Sequence, residues 1–117
     1  MDIISQAKVL AASLRHSDVY RNYVHAKEKA FQLDANKQLI KRFKKAQFQI
    51  QTHMMNNEPV PSALSEEVQR MSSVIQFNRD VSDYIAAEYQ INQLMNEIFR
   101  ILGDAVELDL SFMDLDS

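Results

Sequence analysis

The residues that could do chemistry in this chain are three histidines, His16, His25 and His53, and a scatter of carboxylates. Di-iron sites in helical bundles use glutamate followed three positions later by histidine, so that both groups share a helix face. No histidine here follows a glutamate at that spacing. His25 and Glu28 share a face in the reverse order, and with Glu88 they are the side chains to inspect for a polar pocket within a bundle. One such pair falls short of the three protein ligands that a catalytic metal usually needs, so it reads as an ordinary structural pair. Glu66 with Glu67, and Asp80 with Asp83, fall where helices are expected to start, and there acids serve the positive end of the helix dipole.

The chain has no cysteine and one glycine, Gly103. Thiol nucleophiles, disulfides and cysteine-held zinc or iron-sulfur clusters are therefore excluded for this chain alone. Phosphate loops, dinucleotide fingerprints and serine nucleophile elbows need several closely spaced glycines, and they fail too. No catalytic, cofactor-binding or metal residue is assigned, and a non-enzyme is expected.

The one concentrated charge feature is Lys37, Lys41, Arg42, Lys44 and Lys45 in a chain of net charge -3. On a helical wheel the four lysines form a ridge about 100° wide, away from Leu39, Phe43 and Ile50. A solvated helix face explains such a ridge; contact with RNA phosphates or an acidic protein is the sharper reading.

Scarce glycine and proline make sheet reversals improbable, so the chain divides into a few long helices. Asp2 can cap a helix over 3–15, in which Ile3, Ala7, Leu10 and Leu14 make a stripe expected to be buried. Ser17 opens a second, to about Gln32, with Tyr20, Tyr23, Val24, Ala30 and Phe31. Asp34 is expected to cap a third, to about Met55, with Leu39, Phe43, Ala46, Ile50 and Met54 inward. Pro59 and Pro61 then force a hairpin tip. Ser62 or Ser65 starts a fourth helix carrying Leu64, Val68, Met71 and Ile75, and Asn78 or Asp80 marks a recap or kink. The methionines read first as flexible core filler.

Beyond that point lies the most regular pattern. Tyr84, Ala87, Ile91, Leu94, Ile98, Ile101, Ala105 and Leu108 alternate by three and four, and Met95 and Leu102 widen the stripe. Such a helix needs more than one neighbour, and a second copy of the chain is a candidate for one of them. Gly103 lies opposite the stripe, within the helix or at an earlier end. Residues 1–110 are expected to form one helical domain, and 111–117 an acidic tail, frayed or docked. The acidic start, with apolar residues broken by Ser5, Gln6 and Lys8, is unlike a signal peptide. No run approaches the roughly 20 apolar residues that span a bilayer. A cytoplasmic protein with no membrane insertion is expected.

The order of residues resembles the YlbF/YmcA family of small bacterial helical proteins. The resemblance runs from Ile3 to Leu108 and rests on Ser17, Tyr20, Tyr23, Asp34, Leu39, Ile40, Phe43 and Gln47. It continues through the proline-bearing turn, Val74 to Phe77, and Tyr84-Ile85-Ala86-Ala87-Glu88 leading into Ile91, Leu94 and Ile98. It implies a regulator that associates with itself or its relatives and acts by contact, in competence, sporulation or biofilm formation, through a complex that adjusts RNA processing by an endoribonuclease. The cysteine-rich tail found in part of the family is missing here, and the chain looks closer to the compact YheA type. The expected function is a homo-oligomeric adaptor using Tyr84, Ala87, Ile91, Leu94, Met95, Ile98, Ile101 and Leu102. The alternative is an RNA-contacting module using Lys37, Lys41, Lys44 and Lys45.

Overall fold

A computed structural model describes residues 2–107. Five helices follow one another: α1 (Ile3–Arg15), α2 (Asp18–Phe31), α3 (Asp34–Met55), α4 (Ser62–Gln76) and α5 (Arg79–Val106), with no strand among the described residues. Leu108 and the acidic tail lie outside the described residues.

The junctions follow from local hydrogen bonding. The Asp2 carboxylate accepts from the Ser5 amide at 2.6 Å and caps α1. The Ser17 hydroxyl donates to the Leu14 carbonyl at 2.6 Å while accepting from the Tyr20 amide, so one side chain closes α1 and opens α2. Leu33, in extended conformation, holds the half-in position before α3, and Asp34 is the first helical residue, one place later than a capping role requires. Its charge still sits in the first turn, where the dipole favours it. Pro61 likewise precedes α4, and neither Ser62 nor Ser65 provides a capping hydrogen bond. At the hairpin tip the Glu58 amide reaches the His53 carbonyl at 2.8 Å and the Asn57 amide reaches that of Met54. Asn57 has φ 56°, a left-handed position that asparagine tolerates after a helix end.

Ala30, Ile40, Ile75, Val81 and Tyr84 form the buried centre, flanked by Tyr23, Ala26, Phe31, Leu39, Phe43 and Ile85. The centre thus joins α2, α3, α4 and the first turns of α5. α5 packs most extensively on α2, and α3 lies against α4, where Ala46 and Met71 are buried. Met54, expected inward, is exposed, whereas Ile40 is buried. The inward arc of α3 is therefore wider than the expected stripe and turned toward Ile40.

Two helix starts are tied by a part-buried amide pair. The Asn78 side-chain oxygen accepts from the Val81 amide at 3.2 Å, capping α5, and its amide nitrogen donates to buried Asn36 on α3 at 2.8 Å. Asn78→Ala removes the cap and leaves the Asn36 oxygen without that donor. The expected loss is about 2–3 kcal/mol. Urea unfolding reads it, and a loss below about 0.5 kcal/mol would show that Asn78 does not join the two helices.

The expected burial of α1 is not met among the described residues. Every α1 residue except half-buried Leu14 is exposed, with Ile3 at 82%. Its apolar stripe exists, but no helix among the described residues covers it.

Candidate interaction surface

The long stripe on α5 changes character along its length. Tyr84 and Ala87 are buried in the chain's own centre, and Ile91, Leu94, Met95 and Ile98 are half-buried. Ile101 and Leu102 are 61% and 52% exposed, and Val106 beyond them is 61% exposed. The side of α5 that stays buried in this half carries Asn96 and Gly103, about 140–160° round from Ile98. Gly103 thus sits inside the helix, which ends at Glu107 with φ 55°. Toward its C-terminal end, therefore, α5 leans on the rest of the chain with its polar, small-residue side and turns Ile101, Leu102 and Val106 outward. Tyr84 and Ala87 are taken up internally, so the contact candidates open to a second chain begin at Ile91.

At the other end of the stripe a part-exposed polar cluster borders the core. The Lys44 ammonium, from α3, donates to the Tyr84 hydroxyl at 3.0 Å and also contacts the Glu88 carboxylate. Tyr84 in turn donates to Glu88 at 2.7 Å. Its ring lies 5.9 Å from Tyr23 and 5.4 Å from Phe31, both tilted, and Lys44 stands 5.2 Å over it. Each polar atom is satisfied by the next, so the charged pair is accommodated beside an apolar centre.

Burial drives the Tyr84 hydroxyl far above its ordinary value, reinforced by the hydrogen bond and charge of Glu88 and by Tyr23. A raised pKa contributes stability that is whole below the unfolded tyrosine value of about 10 and is lost as pH climbs above it. Urea unfolding from about pH 9 to 11 is expected to show that decline, and Tyr84→Phe to flatten it. Parallel declines in both proteins would show that the proton on Tyr84 is not the cause.

Lys44 is engaged by Glu88 and Tyr84 at one edge of the ridge, with its side chain still 44% exposed. On the wheel it lies only about 40° round from buried Ile40, which brings it to the edge of the inward arc. Arg42 pairs with Glu67 of α4 at 3.4 Å. Lys41 and Lys45 are exposed and Lys37 half-buried, and these three make no ion pair among the described residues. His25 and Glu28 are exposed on α2, while Glu88 is engaged by Lys44 and Tyr84. The described residues hold no group of three histidine or carboxylate side chains placed to take a metal, and none of their helices is long and apolar enough to cross a membrane. Asn36, Ile40 and Asn96 were not legible as buried positions. The spacing of Tyr84 and Glu88, four apart on one helix, was the available signal for the cluster.

Residues 3–107 match the family described as "Control of competence regulator ComK, YlbF/YmcA". A UPF0342 protein of Symbiobacterium thermophilum is 30% identical over 106 residues, covering 91% of this chain and 95% of that protein. A UPF0342 protein of Desulfitobacterium hafniense is 30% identical over 118 residues, covering 99% and 95%. The fold is shared with a solved Bacillus stearothermophilus structure titled "Protein of Unknown Function (DUF964)", at a TM-score of 0.72, 17% identity and coverage of 90% of this chain and 92% of that one. The five-helix architecture expected from the sequence is thus that of a known fold, and this chain belongs to the YlbF/YmcA family.

Proposed function

We propose that this protein is a non-enzymatic regulatory adaptor that works by self-association and by contact with other proteins, in the control of RNA processing and of competence, sporulation or biofilm formation. The observation that carries this reading is the gradient along α5: one continuous apolar stripe, buried at Tyr84 and open at Ile101 and Leu102. A contiguous apolar face left open on a folded chain is characteristic of a contact surface. The family's link to control of ComK supports a regulatory role. The RNA-contacting reading would rest on Lys37, Lys41 and Lys45, since Lys44 is engaged by Glu88 and Tyr84, and it is the weaker of the two.

Sedimentation equilibrium at micromolar concentrations tests the proposal. A dimer or higher oligomer is expected, and a monomer throughout the range would overturn self-association while leaving the fold standing.

A further inference from the structure

We infer that α1 of one chain lies parallel to the C-terminal part of α5 in a second copy, the two copies exchanging their first helices. This rests on the self-association proposed above and names the surfaces that meet. A free helix of 13 residues is marginal in water, because nucleation is costly and packing of an apolar face supplies most helical stability. α1 has such a face, and among the described residues almost nothing covers it. The end of α5 left open among the described residues, at Ile101, Leu102 and Val106, presents the complementary need.

The two segments also match in register and charge. On α1, Ile4, Ala7, Ala11 and Leu14 occupy alternating a and d positions of a heptad, which places Lys8 and Arg15 at e. On α5, Ile98, Ile101 and Ala105 continue the same alternation, which places Glu97 and Asp104 at g. In a parallel pair, g of one helix faces e of the other. Lys8 then meets Glu97 and Arg15 meets Asp104, each pair separated by the same seven residues, about 10.5 Å along the axis. On the opposite flank Ile3 at g of α1 faces Leu102 at e of α5. An antiparallel pair would set g against g and lose both matches. Lys8, Arg15, Glu97 and Asp104 are all exposed and make no ion pair among the described residues. Arg100 lies between the two acids, yet residues 97–107 keep a surplus of acids through Glu107, while Asp2 on α1 is occupied in capping.

The exchange makes a prediction that no contact within one chain can imitate. Two full-length variants are made, one with Lys8→Glu and Arg15→Glu, the other with Glu97→Lys and Asp104→Lys. Each alone sets like charges along both α1–α5 contacts, and its self-association is expected to weaken by about tenfold or more. Mixed in equal amounts, the variants restore opposite charges at both contacts, and association is expected to return to the wild-type level by sedimentation. Variants that associate as well as wild type, or a mixture no stronger than its parts, would overturn the exchange. Disulfide trapping reads the same register without charge: chains carrying Ala7→Cys and chains carrying Ile101→Cys, in a protein that otherwise has no cysteine, should link to each other on oxidation. Their failure to link in a wild-type-sized oligomer would remove the exchange and leave self-association intact. A wild-type monomer would remove both.

Discussion

Tyr84→Ala is expected to lower the unfolding free energy by about 3–5 kcal/mol, the range seen when a large buried ring is truncated. The side chain is 2% exposed and sits where α2, α3 and α5 meet, with Tyr23 and Phe31 against its ring. Its removal opens a cavity and strips the Lys44–Glu88 pair of the hydroxyl that bridges it. Domains of this size are stable by about 5–15 kcal/mol, so the variant should lie close to unfolding at ambient temperature. Tyr84→Phe keeps the ring and loses the bridge, for an expected cost of about 1 kcal/mol. Urea unfolding of the three proteins separates packing from polar contact. An alanine variant within 1 kcal/mol of wild type would mean that the ring is not central to the core.

The same residue shows how far sequence reasoning reaches. The α5 stripe was legible because its period is unbroken, and its length was legible because no proline interrupts it. Asp2 and Ser17 were legible as caps, and Asn78 as one of two candidates with Asp80, since each places an oxygen where the next free amides point. Asp34 and Ser62 have the right chemistry but lie one residue too late, because the extended backbone of Leu33 and Pro61 already supplies the half-in position. Such one-residue offsets are set by how the preceding turn is packed, which composition does not encode.

The engagement of Lys44 by Glu88 and Tyr84 was not legible for a related reason. Charge type argues for solvent, but a long aliphatic stem lets an ammonium reach inward to a carboxylate beside an apolar centre. Only the tertiary arrangement of the helices brings Glu88 of α5 within reach of Lys44. The apolar face of α1 was visible in the spacing, whereas its partner was not, since periodicity reports that a face must be covered and is silent on which chain covers it.

The open end of α5 gives the sharpest expectation for assembly. Replacing both Ile101 and Leu102 with glutamate places two charges on a face that should be desolvated between chains, where each unpaired charge is costly. Truncations at buried interface anchors commonly cost 2 kcal/mol or more, about thirtyfold in affinity, and buried like charges cost more than truncation. The double variant is therefore expected to sediment as a monomer where wild type does not. Both side chains are exposed in the single chain and glutamate is a good helix former, so the helical circular dichroism and the Tyr84-centred core should be preserved. A monomer that keeps its helices places the association surface at this end of α5. An oligomer unchanged by two glutamates would move that surface elsewhere on the molecule, because no apolar contact of this kind absorbs two unpaired carboxylates on every chain.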